Sequence, residues 1–285
     1  MSTPKIFLFF SVLIGSHLCL AQEMVFNKSD HERLNLIVAK QVNSFQNISE
    51  IGTSFLGSPY VAHTIEGFQD EPLVLNFSVF DCTTFVENSL SLYLLQYENL
   101  EVVATEENHL KTYAQLLEDI RYRNRERAGY TSRLHYFTEW IQNNEKKGYV
   151  FDITEDLGGS TIEKTLDFMS SHRSSYSALK DDQVFENWVK IEKALNPMRY
   201  AILGLDAIKT AAIEEGDIIA FATNIDGLDV THTGIAIEKN KKIHLLHASS
   251  SGSVVISKKP LYKFAQGINR CIGIIIVRPA LYDVF

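Results

Sequence analysis

The chain has 285 residues, 27 Lys and Arg against 35 Asp and Glu, a formal charge of −8, and a hydrophobic content of 45%. That acidic balance argues against nucleic acid as a partner, because phosphate binding calls for a basic face. The length suits one large domain or two small ones, and three cysteines are too few for a disulfide scaffold.

Met1 to Gln22 reads as a secretory signal peptide. Lys5 supplies a short basic region, Ile6 to Ile14 is almost wholly apolar, and Cys19-Leu20-Ala21 puts small residues at the −3 and −1 positions. Cleavage is expected after Ala21, leaving 22–285 as a single exported domain, in the periplasm of a Gram-negative bacterium or secreted. A membrane anchor fits less well: Ser11, Gly15, Ser16 and His17 break the run, which falls short of the ~20 apolar residues a span needs. A lipid anchor at Cys19 is disfavoured by His17 and Leu18, so no stable membrane insertion is expected once the leader is removed.

Leu34, Ile37, Val38, Val42, Phe45 and Ile48 keep helical spacing and predict one helix from His31 to Ile51. Tyr60 to Thr64 is short and extended in character, and Leu73 to Phe77 reads as a strand. Helices are predicted over Thr83 to Gln96, His109 to Tyr122 and Phe137 to Asn144, with further ones at Thr161 to His172 and Asp182 to Ala194. Between them Arg121, Arg123, Arg125, Arg127 and Arg133 interleave with Tyr122, Tyr130 and Tyr136. Such a run is either a solvated surface or an Arg fork that captures a carboxylate. From Gly216 onward short apolar runs alternate with turns, at Asp217 to Thr223, His232 to Glu238, Lys242 to Ala248, Val254 to Ser257 and Cys271 to Arg278. Helices followed by an antiparallel sheet make an α+β chain.

Cys82 stands where the strand-like segment gives way to a helix. Asp81 is a good N-cap, and Phe85, Val86, Leu90, Tyr93 and Leu94 then recur at helical spacing. A lone cysteine is more often a small buried hydrophobe. A thiol in the first helical turn, however, feels the positive end of the macrodipole, which favours the reactive thiolate. Cys271 opens an apolar strand pattern and reads as core; a Cys82–Cys271 disulfide would defeat any role for Cys82 as a nucleophile.

The histidines follow 150 residues later. Lys239-Asn240-Lys241-Lys242 reads as a hairpin loop, and an even-length loop that sets Glu238 opposite Ile243 also sets His247 opposite Gly234. His232 and His247 then share a face as diagonal neighbours, with Gly234 leaving room for the imidazole, while His244 takes the other face. Cys82 as nucleophile, His232 as base and His247 as its orienter make a coherent set.

On these residues the chain resembles the NlpC-type, papain-related cell-wall cysteine hydrolases. The likeness rests on Pro59-Tyr60, Asp81-Cys82, Gly216-Asp217, His232-Thr233-Gly234-Ile235 and His247-Ala248, in that order. More closely, it is similar to a group of exported bacterial N-acetylmuramoyl-L-alanine amidases, through Gly57 to Tyr60, Asp81 to Asn88, Ser132 to Phe137, Gly227 to Gly234 and Leu245 to Ser250. The resemblance implies a papain-like fold, with an N-terminal helical half carrying the nucleophile against a C-terminal antiparallel sheet, and a helical elaboration over about 100–200. It implies Cys82, His232 and His247 as catalytic, and Tyr60, Arg133, His135, Tyr136 and Asp229 as substrate-binding. It also implies no metal or other cofactor, and a peptidoglycan fragment or muropeptide as partner. The bond cut would be the amide between muramyl lactate and L-alanine. Cleavage of the γ-D-glutamyl bond further along, a zinc amidase using His232, His247 and Cys82 or Asp229, and a non-catalytic wall-binding module are the competing readings.

Overall fold

The computed structural model describes residues 24–41, 45–68, 70–97 and 105–280; the leader expected over residues 1–21 lies outside them. Strand β1 (Met24–Val25) is followed by α1 (Lys28–Gln41) and α2 (Ile48–Thr53), and then by β2 (Leu73–Val74), which runs parallel to β1. The helix predicted from His31 to Ile51 is therefore two. The Asn47 side chain accepts from the Ser49 and Glu50 N–H groups, and that cap starts α2 afresh.

Helix α3 (Cys82–Leu95) begins under a capping box. Asp81 accepts from the Thr84 N–H at 2.8 Å, and the Thr84 hydroxyl in turn takes the Asp81 N–H at 3.0 Å. From Thr84 to Leu95 every residue of α3 is buried, as expected of a helix enclosed by its neighbours. Its polar side chains are all the more dependent on partners: Asn88 donates to the Thr84 carbonyl and accepts from Tyr113, and Ser91 donates to the Glu87 carbonyl. Helix α4 (Glu106–Arg121) packs on α3, and α5 (Phe137–Lys146) follows.

Strands β3 (Val150–Asp152) and β4 (Ser160–Lys164) come next, then α6 (Phe168–Ser171), α7 (Asp182–Leu195) and β5 (Met198–Gly204). The segment expected to be a helical elaboration thus contributes strands as well. The helix predicted from Thr161 to His172 is replaced by β4, whose five residues all pair with β5, and by the single turn of α6. The last part of the chain holds β6 (Ile218–Thr223), β7 (Val230–Lys239), β8 (Lys242–Ala248), β9 (Val254–Ile256), α8 (Leu261–Ala265) and β10 (Cys271–Pro279).

These strands form an antiparallel sheet in the order β4-β5-β10-β6-β7-β8-β9, with β3 paired to the far end of β10. Alternation divides its side chains between two cores. Ile218, Ala220, Ile235, Ile237, Leu246 and Ile275 meet the helices α1 to α5, while Ile219, Phe221, Ala236, Leu245, Ile274 and Ile276 meet α8. The architecture is α+β, as the pattern predicts. Among the described residues no helix is long and apolar enough to cross a membrane.

Candidate active site

The hairpin between β7 and β8 has the expected register. Glu238 faces Ile243, Ile235 faces Leu246, and the turn is made by Asn240 and Lys241, both with positive φ, the conformation a two-residue type I′ turn requires. A Cβ built on Gly234 would meet the Leu246 carbonyl oxygen at 2.8 Å and the His247 Cβ at 3.0 Å. A side chain there would push into the second histidine. His232 and His247 share one face, and the His232 Nε2 and His247 Nδ1 are joined by a hydrogen bond of 2.7 Å with the rings nearly perpendicular. Phe264 of α8 packs on both rings. His244 lies on the other face, bonded through Nδ1 to the Ser257 carbonyl.

A bulge sits beside His232. Phe221 pairs with His232 but the next residue, Ala222, pairs with Val230, so Thr231 has no opposite number on β6. Bulges of this kind bend a strand and re-aim its side chains.

Helix α3 brings Cys82 to the same strand from the opposite side. The Thr233 hydroxyl donates to the Cys82 carbonyl at 3.0 Å, so the residue next to His232 is fastened to the first turn of α3. The Thr233 N–H and the hydroxyls of Thr233 and Thr83 also favour the Cys82 thiolate, but burial pushes the thiol up more strongly, and Asp81 adds to that rise. The thiolate expected from the macrodipole is therefore opposed by desolvation at this site. Cys82 and Cys271 are both free, and Cys271 donates to the Gly273 carbonyl at the start of β10.

Burial lowers His232 to about 3, with His247 adding to the effect, and lowers His247 to about 4. The unfolded chain, with ordinary imidazoles near 6.5, takes up these protons first as pH falls. Stability from the buried neutral pair is therefore complete above about pH 6.5 and is lost as pH drops towards 4 and then 3, costing at most about 2 kcal/mol per imidazole at pH 5. Urea midpoints at pH 8 and pH 5 should differ accordingly, and by less in a His232→Asn/His247→Asn protein. An equal difference in both proteins would refute the assignment.

Tyr60 stands near Cys82: burial first, then Cys82 and Asp81, push its phenol up. Its segment is held by main-chain bonds, Tyr60 N–H to the Gly252 carbonyl at 2.8 Å and Val254 N–H to the Ser58 carbonyl at 2.8 Å. The Tyr60 loop and the turn after β8 are thus one unit.

The other expected substrate-binding residues are engaged inside the protein. Asp229 is buried, accepting from the Thr138 N–H at 2.7 Å and hydroxyl at 2.8 Å and from the Val230 N–H. Tyr136 is buried and donates to Glu192 at 2.7 Å. His135 bonds the Tyr130 carbonyl and packs between Tyr130 and Trp188. Asp229 and Tyr136 are buried and His135 is half-buried, and the three stand at the start of α5 and the turn before β7. Arg133 does reach a cavity of about 470 Å³, shared with Tyr130, Glu66 and Glu71. It is paired there, Nη2 with Glu66 at 2.9 Å and Nε with Glu71 at 3.0 Å. Most of the arginine run is likewise paired within the chain: Arg121 with Glu87, Arg123 with Glu139 and Arg125 with Asp119. It is neither a plain solvated face nor an open fork, since these guanidiniums meet carboxylates of the same chain.

Thr233 is the functional neighbour that pattern reading left unassigned. It lies inside His232-Thr233-Gly234, and alternation alone turns it towards α3. A thiol at a helix start, an N–H of Cys82 that the helix leaves without an intrahelical acceptor, and an imidazole pair are parts that nucleophilic acyl transfer uses.

A model of the AmiA-like family, described as N-acetylmuramoyl-L-alanine amidase-like, matches residues 50–273. A crystal structure of an N-acetylmuramoyl-L-alanine amidase from Bacteroides uniformis is similar at 36% identity, with a TM-score of 0.76 over 82% of this chain and 97% of that one. A Bacteroides fragilis structure provisionally described as a xylanase is similar at 37% identity, with a TM-score of 0.74 over 80% and 99%. A Legionella pneumophila protein at 21% identity shares the fold, with a TM-score of 0.66 over 89% and 95%. No curated protein matches the chain.

Proposed function

The chain belongs to the N-acetylmuramoyl-L-alanine amidase-like family, and we propose that it is an exported cysteine amidase that cuts the amide between muramyl lactate and L-alanine in peptidoglycan fragments. The observation that carries this reading is the Nε2-to-Nδ1 bond between His232 and His247, on a strand whose next residue holds the Cys82 turn. With Nε2 committed to His247, we assign the Nδ1 of His232 to proton exchange with the thiol.

The chemistry runs in two halves. Cys82 Sγ attacks the lactyl carbonyl carbon as its proton passes to His232, and the carbonyl oxygen gains negative charge beside the Cys82 N–H. A donor of this kind is worth roughly 3 kcal/mol in the transition state. The C–N bond then breaks, and His232 returns the proton to the departing alanine amine. Water, deprotonated by His232, attacks the thioester, releasing the lactyl carboxylic acid and the thiol. His247 holds the ring and shares the charge on the transient imidazolium.

The glycosidase suggested by one neighbour's description would need two carboxyl groups flanking the scissile bond. Among the described residues, no Asp or Glu lines the cleft at the histidines. Digestion of defined muropeptides separates the remaining alternatives by product mass. Free N-acetylmuramate with an intact stem peptide supports the amidase, whereas a sugar still bearing L-Ala-D-Glu would show γ-D-glutamyl cleavage instead. Activity is expected to survive a chelator and to be lost to iodoacetamide; the reverse pattern would support a zinc amidase.

A further inference from the structure

The face that carries His232 and His247 opens on a cleft of about 650 Å³, walled by the turn Ser249 to Ser251, by Phe264 and by Lys258 and Asn269. Two independent observations give it a direction and a polarity. The first is chemical. In the reaction above, His232 delivers a proton to the departing amine, so the leaving half of the substrate has to lie against the imidazole pair, and both imidazoles line this cleft.

The second is charge. The chain as a whole is acidic, and the cavity at Arg133 is lined by Glu66, Glu71 and Asp181. The histidine cleft is the opposite: it has no lining carboxylate, and Lys258 is the one formal charge among the described residues around it. Lys258 is exposed and makes no ion pair with any described carboxylate. Serine hydroxyls and the Asn269 amide supply the remaining polarity. An anionic, hydrogen-bonding occupant suits this cleft and does not suit the other cavity.

The leaving half of the proposed substrate has that character. Its alanine is followed by a glutamate linked onward through the side chain, which leaves the α-carboxylate free about two residue lengths, roughly 7 Å, from the scissile nitrogen. We propose that the histidine cleft is the leaving-peptide subsite, and that Lys258 receives this α-carboxylate. The assignment rests on the amidase reading and adds to it which side of the catalytic groups each half of the substrate occupies.

The test compares N-acetylmuramoyl-L-Ala-D-Glu with its α-amide, N-acetylmuramoyl-L-Ala-D-isoglutamine, in the full chain and in Lys258→Ala. Wild-type protein is expected to favour the free acid by about fivefold in kcat/KM, the size of a partly exposed ion pair, with the preference shrinking as salt rises. Lys258→Ala brings the ratio to about one, because an ordinary packing role would lower both substrates alike, and Lys258→Glu inverts it. A wild-type ratio near one, or a preference that survives in Lys258→Ala, overturns the subsite. Calorimetry of Cys82→Ala with the peptides L-Ala-D-Glu and L-Ala-D-isoglutamine keeps the two proposals separate. Selective binding of the acid that vanishes with Lys258 sustains the subsite even if neither sugar substrate is cut, a result that would sink the amidase reading alone; equal binding of both peptides overturns the subsite.

Discussion

Cys82→Ala is expected to abolish muropeptide hydrolysis, with a loss in kcat on the order of 10⁴-fold or more, as when one member of a nucleophile–base unit is removed. His232→Ala should fall to a similar level, and the double variant no further, since the two groups act in one step and their losses do not add. His247→Ala leaves the base in place but takes the 2.7 Å partner from its Nε2, so a smaller loss is expected. Folding is not at issue for Cys82→Ala: the cap of α3 comes from Asp81 and Thr84, and alanine keeps the main-chain carbonyl to which the Thr233 hydroxyl donates. Turnover at the wild-type level in Cys82→Ala would end the cysteine mechanism.

The state of the thiol gives the same prediction a second readout. Burial raises Cys82 and lowers His232 to about 3, so at neutral pH the free protein holds a thiol and a neutral imidazole. In the proposed reaction, proton transfer would then accompany attack. Iodoacetamide alkylation of Cys82 should keep accelerating with pH beyond 8, where a preformed thiolate–imidazolium pair would have levelled off. A plateau already reached at pH 6 would show that the ion pair forms before substrate binds.

Local chemistry made some of this legible in the sequence. Asp81 announces the start of α3 as an N-cap, and the Lys239 to Lys242 loop fixes a hairpin register on which both histidines depend. Each of these is decided within a few residues, where propensity and turn geometry have few competitors. What the sequence alone leaves open is contact at long range. Ile162, Leu166, Phe168 and Met169 match helical spacing, yet β4 forms because β5, some forty residues later, offers it an edge. Arg133 reads as a free fork until Glu66 and Glu71 are found beside it, and the partners of Asp229 and Tyr136, Thr138 and Glu192, lie 91 and 56 residues away in the chain. Titratable residues in a matched block signal chemistry and interior pairing equally well, and only burial separates the two.

The ion pair beneath the helix that begins at Cys82 carries the largest expected stability effect. Glu87, in the second turn of α3, meets Arg121, the last residue of α4, at 2.8 Å with both side chains almost wholly enclosed, and Arg121 also donates to the Val74 carbonyl of β2 at 2.9 Å. Burial pushes the Glu87 carboxyl up and the Arg121 guanidinium pulls it back, so the carboxylate depends on its partner to remain charged. Arg121→Met keeps much of the volume and leaves that carboxylate unpaired, which is expected to lower unfolding stability by about 3–5 kcal/mol. Against a typical total of about 5–15 kcal/mol, this is a substantial share. Glu87→Gln/Arg121→Met removes both charges and should be more stable than Arg121→Met alone, since an uncharged pair of similar shape avoids the desolvation that the ions incur. Urea denaturation of the four proteins measures the coupling. A double variant as unstable as the sum of the singles would show that packing, not charge pairing, secures α3, and that the helix presenting Cys82 does not rely on this pair.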